Sequence, residues 1–122
     1  MNIKEYGLLL LNTLGSPDLE KSIDRVTSFI DFTVNDGNMI YTIGNGGSAA
    51  LAEHFSQDLT KSCHIPALFL GNISNVTAYA NDIDYSKVFS EQMRVYFRED
   101  DVLVCFSSSG NSKNIVGNQT GI

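Results

Sequence analysis

The chain has 122 residues, 43% of them hydrophobic, and a formal net charge of −6. This length suits one domain with a core of its own, and the acidic balance argues against a nucleic-acid partner, which needs a basic face. No stretch approaches the roughly 20 apolar residues of a membrane span. Cys63 and Cys105 lie in dissimilar settings, which favours a reducing compartment over a disulfide framework. We therefore expect one cytoplasmic domain, residues 1–122, that contacts neither nucleic acid nor membrane.

Residues 1–37 are predicted to form two helices. The leucine run at 8–11 is too short for a signal peptide and follows Lys4 and Glu5 rather than a basic segment. A second helix is predicted to begin with Ser16 as N-cap and Pro17 in its first turn, and to end near Gly37. Its apolar residues recur at helical spacing: Leu19, Ile23, Val26 and Ile30. So much apolar surface favours packing between subunits, and packing on the sheet is the alternative.

The residues that follow predict a strand, a turn of small residues and a helix. Residues 39–43 are an apolar strand, and residues 49–60 have a helical pattern. The turn between them consists of Gly44, Asn45, Gly46, Gly47 and Ser48. Glycine has no Cβ, so backbone N–H groups can approach a ligand closely, and the first turn of a helix leaves such groups unpaired. The turn therefore predicts an anion-binding site, with phosphate as the expected ligand. The alternative is an ordinary turn in which Ser48 is the N-cap.

The middle of the chain predicts alternating elements with short connections. We expect a loop at 61–65, a second buried strand at 66–70 and a turn at 71–75. A short helix at 76–80 then precedes Asn81 and Asp82, and a longer helix covers 85–97. The side chains expected on the buried face of that longer helix are Val88, Phe89, Met93 and either Tyr96 or Phe97.

A second turn of small residues follows another predicted buried strand, 101–106. The turn contains four serines, Ser107, Ser108, Ser109 and Ser112, and a helix is expected from Lys113. In an open parallel sheet, loops at the carboxyl ends of the strands meet at one crevice. The two turns are therefore predicted to form one phosphate site. The alternative is that 107–112 is a polar surface loop.

These motifs, in this order and together with His54, resemble those of a sugar isomerase (SIS) domain over about residues 1–116. The resemblance implies an α/β fold, a three-layer doubly wound parallel sheet of the flavodoxin-like kind, preceded by N-terminal helices. Residues 38–122 would form the first part of that sheet. Within the superfamily the chain is similar to the phosphoheptose isomerases. This implies isomerisation of sedoheptulose 7-phosphate to D-glycero-D-manno-heptose 7-phosphate through a cis-enediol, in heptose synthesis for lipopolysaccharide or capsule. It also implies a homotetramer with active sites at subunit boundaries.

Two residues on the helix after the first turn could carry the chemistry. His54 and Asp58 are four residues apart, so their side chains share one helix face with Cβ atoms about 6 Å apart. Such a pair can chelate a metal or share proton transfer, and a simple hydrogen bond on a solvated face is the alternative. The resemblance implies that His54 is a zinc ligand. It also implies that Asp58, as ligand and catalytic base, stands where the family has a glutamate, one methylene longer.

The resemblance further implies which residues contact the substrate. From it and from the two turns we expect these to be Asn45, Gly46, Gly47, Ser48, Asn81, Asp82, Ser107, Ser108, Ser109 and Ser112. The family's remaining zinc ligands, a glutamine and a histidine that acts as general acid, would lie beyond Val116. Residues 117–122 are poor helix sequence. We therefore expect a C-terminally truncated chain that shows no turnover by itself.

Three functions remain open at this point. The first is a zinc-assisted phosphosugar isomerase. The second is a non-catalytic SIS module that binds a sugar phosphate or a protein partner, as do relatives that associate with a replication initiator. The third is an inactive, truncated isomerase. Asp58 and the missing C-terminal histidine of the family favour the latter two, whereas the phosphate motifs and the metal-helix motif favour descent from the first.

Overall fold

The computed structural model describes residues 1–117, in two compact units that divide between Phe32 and Thr33. The prediction for residues 118–122 lies outside the described part. The helices and strands are α1 (Ile3–Leu14), α2 (Pro17–Asn35), β1 (Ile40–Gly44), α3 (Gly47–Cys63), β2 (Ala67–Phe69), α4 (Ile73–Asp82), α5 (Val88–Tyr96), β3 (Val102–Phe106) and α6 (Lys113–Val116).

The predicted N-terminal helices are present with well-defined starts. In α1 the N–H of Glu5 donates to Asn2 Oδ1 at 3.0 Å, and the N–H of Asn2 donates to the Glu5 carboxylate at 2.9 Å, a capping box. In α2 the Leu19 N–H donates to Ser16 Oγ at 3.2 Å, so Ser16 caps the helix as predicted. The large apolar side chains of α1 are exposed: Ile3, Leu8, Leu9, Leu10, Leu11 and Leu14.

The sheet is parallel and has the order β2-β1-β3. Strand β1 lies in the middle and is fully buried, because it pairs with Ala67–Phe69 on one side and Val102–Phe106 on the other. The register places Ile40 opposite both Ala67 and Val102, and Gly44 opposite Phe106. The carboxyl ends of β1 and β3 therefore lie side by side.

Helices pack on both faces of this sheet. On one face Tyr41 and Ile43 belong to a core that also includes Phe89 and Met93 of α5. On the other, Thr42 Oγ1 donates to the Ala52 carbonyl at 2.8 Å and so joins β1 to α3. The three-layer, doubly wound arrangement predicted from the sequence is confirmed.

Two predicted strands are less buried than expected. Strand β2 covers only Ala67–Phe69 instead of 66–70, and Leu68 is 40% exposed. Strand β3 is half-buried along its whole length. Each pairs with β1 alone within the described sheet. An apolar run identifies a strand, but its burial depends on neighbours that are distant in sequence.

The helix boundaries also differ from prediction. The predicted start of the loop at residue 61 is wrong, because α3 continues to Cys63. His64, with φ +58°, is the C-cap of that helix. The prediction of a turn over 71–75 is wrong as well, since α4 begins at Ile73. Asn72 is its N-cap, and the side chain of Asn72 accepts the Ser74 N–H.

The predicted helix at 85–97 is two elements. A 3₁₀ turn (Tyr85–Lys87) precedes α5, because the Asp84 carboxylate accepts the Ser86 N–H at 2.8 Å and caps that turn. The expected buried side chains of α5 are confirmed at Val88, Phe89 and Met93. The same face also buries Gln92, whose side-chain NH₂ donates to the carbonyls of Leu70 and Val88.

Candidate functional site

The first turn of small residues has a backbone that requires glycine. Gly46 has φ +55° and ψ −124°, a combination that other residues rarely adopt. A Cβ on Gly44 would lie 2.5 Å from the Ser48 carbonyl oxygen. Helix α3 begins at Gly47 with Gly46 as N-cap, so Ser48 is not the cap. Within residues 1–117 the N–H groups of Gly46 and Gly47 have no acceptor. These groups lie at the positive end of a 17-residue helix.

The second turn presents hydroxyl groups. Ser107 Oγ accepts the Gly110 N–H at 3.0 Å, and Ser109 Oγ accepts the Asn111 N–H at 3.2 Å. Each hydroxyl therefore keeps its own proton for donation to another acceptor. Ser108 and Ser109 are exposed, whereas Ser107 and Ser112 are half-buried.

A side-chain pair joins the first turn to α6, the helix that follows the second turn. Asn45 Nδ2 donates to Asn114 Oδ1, and Asn114 Nδ2 donates to Asn45 Oδ1, both at 2.8 Å. The Tyr85 hydroxyl donates to the same Asn45 oxygen at 3.1 Å. Neither Asn114 nor Tyr85 was predicted from the sequence, because each is far from Asn45 along the chain.

These residues line a cleft of about 410 Å³, within the range of small-ligand sites. Of the predicted substrate contacts, Asn45 and Ser112 line it. The residues that sequence reasoning missed are Asp84, Tyr85, Ser86, Lys113 and Asn114. The spacing of Asp84 and Ser86 is typical of a capped turn and is the one local signal that could have drawn attention to this segment. Hydrogen bonds from Ser86, and the positive charge of Lys113, hold the pKa of the Asp84 carboxyl below its usual value.

Asn81 and Asp82 lie just before this segment. They occupy the last turn of α4, where Asn81 Nδ2 donates to Asp82 Oδ1 at 2.9 Å. Both side chains are exposed, and neither lines the cleft.

His54 and Asp58 lie on another surface of α3. His54 Nε2 and Asp58 Oδ2 are 3.4 Å apart, so the two side chains share a helix face as the spacing predicts. They are exposed, opposite the face that buries Ala52, Ser56 and Leu59. They do not line the cleft. In the described part of the chain, no cluster of three or more His, Cys, Asp or Glu side chains could hold a metal ion.

The fold and the paired turns define a doubly wound α/β protein with a cleft at the carboxyl edge of its sheet. The chain belongs to the SIS domain family, whose sequence profile matches residues 10–118. The resemblance seen in the motifs is thereby confirmed.

Similar proteins carry the name phosphoheptose isomerase. The chain is 45% identical over 86 residues to the phosphoheptose isomerase of Colwellia psychrerythraea, an alignment that covers 66% of this chain and 44% of that protein. It is 40% identical over 105 residues to the probable phosphoheptose isomerase of Thermoplasma acidophilum, with coverages of 81% and 57%. The chain thus spans about half the length of these curated relatives.

A solved structure supports the same relationship. The phosphoheptose isomerase GmhA of Neisseria gonorrhoeae matches with a TM-score of 0.78 and 30% identity, over 95% of this chain and 66% of that one. A phosphoheptose isomerase of Francisella tularensis has the same fold, with a TM-score of 0.77 at 24% identity. Among the helices of residues 1–117, none has the length and apolar character needed to cross a membrane.

Proposed function

We propose that the protein is an aldose-ketose isomerase of phosphorylated sugars and that its substrate is sedoheptulose 7-phosphate. The observation that carries this proposal is the meeting of two donor-rich turns at adjacent strand ends, where the Asn45–Asn114 pair joins the first turn to the helix after the second. Relatives named phosphoheptose isomerase support the choice of substrate. The product would be D-glycero-D-manno-heptose 7-phosphate.

The phosphate is proposed to bind between the turns. It would accept hydrogen bonds from the N–H groups of Gly46 and Gly47 and from the hydroxyls of Ser109 and Ser112, where the dipole of α3 favours negative charge. Anchoring one end of the sugar phosphate restricts its orientation, which lowers the entropic part of the reaction barrier.

Asp58 is the proposed base. Isomerisation needs a carboxylate that takes a proton from the carbon beside the carbonyl, after which a proton returns to the neighbouring carbon. The Asp58 carboxylate is 57% exposed, so a substrate on this face of α3 can reach it. Because Asp58 is shorter than glutamate, its carboxylate lies closer to the helix backbone.

Zinc is the proposed cofactor, held in part by His54 and Asp58. Ligands of a tetrahedral zinc ion at about 2.0 to 2.1 Å lie roughly 3.3 Å from each other. The His54 Nε2 to Asp58 Oδ2 distance of 3.4 Å fits two neighbouring ligands. A bound zinc ion would polarise the carbonyl of the substrate. Two ligands make half of a zinc site, so other groups must complete it.

A second copy of the chain is the proposed source of groups that cover this face of α3. Leu51, which is 60% exposed, lies one turn before His54 and gives the face an apolar contact point. We propose a homotetramer in the cytoplasm, where the charged sugar phosphate is retained, with a role in heptose synthesis for lipopolysaccharide or capsule.

Calorimetric titration with sedoheptulose 7-phosphate tests the phosphate site. Replacing both Ser109 and Ser112 by alanine should remove two charge-assisted hydrogen bonds worth about 1.5 to 3 kcal/mol each. Ser62→Ala is the control, because this exposed serine lies at the opposite end of α3. An unchanged affinity in the double variant would contradict the proposed site.

A binding-only role is the second candidate, favoured by the separation of the cleft from His54 and Asp58. Asp58→Asn distinguishes the two functions. Measured in a protein whose zinc site and general acid are complete, an isomerase should lose turnover and keep its affinity for the sugar phosphate, whereas a binding module should show no turnover before or after the change.

A further inference from the structure

The contacts inside each turn of small residues do not fix the distance between the two turns. In the first turn Gly46 and Gly47 have no side chains, and a Cβ at either position would meet nothing within 4 Å. In the second turn the hydroxyls of Ser107 and Ser109 accept N–H groups of the same turn. The spacing of the two turns therefore depends on contacts that cross between them.

The amide pair of Asn45 and Asn114 makes such a contact. Asn45 directly precedes Gly46, and Asn114 is the second residue after Ser112. Their side chains exchange two hydrogen bonds of 2.8 Å. The pair thus connects the backbone beside the N–H donors of the first turn to the helix that begins beside the hydroxyl donors of the second.

The geometry of the amide pair makes this connection rigid. Each amide donates one N–H to the oxygen of the other, so turning either amide alone would place donor against donor and acceptor against acceptor. Asn114 is 2% exposed, and a hydrogen bond shielded from water is stronger than one in solvent. The Tyr85 hydroxyl adds a third bond, of 3.1 Å, to the oxygen of Asn45. The first turn is therefore held by a buried partner on α6.

We propose that Asn114 is a positioning residue for phosphate binding, because its hold on Asn45 sets the distance between the N–H groups of the first turn and the serine hydroxyls of the second. A phosphate that accepts from both turns needs both sets of donors at hydrogen-bond distance at once. The role requires no contact between either amide and the ligand. This inference rests on the proposed function, specifically on its phosphate site.

Titration with inorganic phosphate, followed by ¹⁵N NMR, tests the positioning role. In the wild type, phosphate should shift the amide signals of Gly47 and Ser109 with one common midpoint, because one anion contacts both turns. Asn114→Ala should weaken phosphate binding about 10-fold, the loss of one charge-assisted hydrogen bond. The two midpoints should also separate, since the anion would then be held by one turn at a time.

Ile115→Val is the matched control for Asn114→Ala. Ile115 is the next residue of α6 and is also 2% exposed, so this change removes a buried methyl group from the same helix and no side-chain hydrogen bond. It should lower the melting temperature. Phosphate affinity should stay within twofold of the wild type, and the common midpoint should be kept.

Asn45→Ala and the double variant complete a mutant cycle. Because either single change removes both bonds of the pair, the two single variants and the double variant should weaken phosphate binding by about the same factor. Should Asn114→Ala prevent folding, Asn45→Ala decides alone, because Asn45 is half-buried in the turn. Its midpoints should separate, whereas the loss of a direct phosphate contact would keep them common.

Three outcomes overturn the inference. These are phosphate affinity of Asn114→Ala within twofold of the wild type, losses that multiply in the double variant, or a common midpoint in every variant that folds. The proposed function fails separately if the amide pair behaves as expected, yet a protein with a complete zinc site and general acid never converts the sedoheptulose 7-phosphate that it binds.

Discussion

Gly44 shows how one missing Cβ sets the position of the first turn of small residues. In Gly44→Ala the added carbon would lie 2.5 Å from the Ser48 carbonyl oxygen and 2.6 Å from its carbon, so the start of α3 must move. We expect a loss of about 1 to 3 kcal/mol in the free energy of unfolding, measured with urea, together with weaker phosphate binding.

Gly47→Ala is the stability control for that change. A Cβ there meets nothing within 4 Å, and Gly47 is the first residue of α3. The unfolding free energy of Gly47→Ala should equal or exceed that of the wild type, because alanine has a higher helix propensity than glycine. Equal stability of both variants would contradict the argument from close packing.

His54 and Asp58 carry the proposed metal-binding role at the level of single residues. His54→Ala should lower the zinc content of the purified protein, measured by inductively coupled plasma mass spectrometry, because it removes one of the two neighbouring ligands. Asp58→Glu should keep the zinc and preserve or raise turnover, since the longer side chain extends the carboxylate from the helix. If His54→Ala left the zinc content of the protein unchanged, the proposed zinc site would be refuted.

At the scale of elements, Asp101 joins the turn before β3 to the start of β1. One carboxylate oxygen accepts the Met39 N–H at 2.7 Å, and the other accepts the Arg98 N–H at 2.8 Å. In Asp101→Asn one N–H would face an NH₂ group. We expect a loss of about 1 to 3 kcal/mol in unfolding free energy.

Asp100→Asn is the matched control for Asp101. Asp100 is exposed and has φ +69°, which asparagine tolerates well. It should change stability by less than about 0.5 kcal/mol. If the two variants were equally stable, the Asp101 hydrogen bonds would have no part in holding β1 and β3 together.

The elements predicted correctly are those with strong local signals. Residues 39–43 and 101–106 are apolar runs followed by small residues, and both became strands of the parallel sheet. Ser16 and Pro17 marked the start of α2 because capping is a local effect. The start of α4 at Ile73 was missed, since the polar residues around Asn72 suggested a turn rather than a cap.

The candidate functional residues were predictable only in part, for a physical reason. Residue spacing placed His54 and Asp58 on one helix face, because both belong to one helix. The Asn45–Asn114 pair joins residues 69 positions apart, and no periodic pattern reports such a contact. Tyr85 was assigned to a helix from its apolar pattern, although the cap by Asp84 separates it into a turn that reaches Asn45.

At the scale of the whole molecule, the exposed leucines of α1 predict assembly. Leu11 is 68% exposed and Leu14 is 62% exposed. We expect a tetramer in light scattering, and Leu11→Glu should shift it toward smaller species by placing a charge in an apolar interface.

Asn12→Glu is the control, because it adds the same charge at the next exposed position of α1. A monodisperse monomer for the wild type at micromolar concentration would contradict the predicted assembly. Equal dissociation by Asn12→Glu would mean that added charge, rather than the loss of an apolar contact, separates the subunits.

The most direct test of the proposed isomerase is proton exchange on the substrate in deuterated water. With zinc and sedoheptulose 7-phosphate, a protein in which the zinc site and the general acid are complete should incorporate deuterium at the carbon next to the carbonyl and form an aldose 7-phosphate, both visible by NMR, whereas the 122-residue chain alone should do neither. Asp58→Asn should do neither while it still binds the ligand. A protein with the complete site that binds sedoheptulose 7-phosphate yet exchanges no carbon-bound proton and forms no aldose would contradict the isomerase assignment.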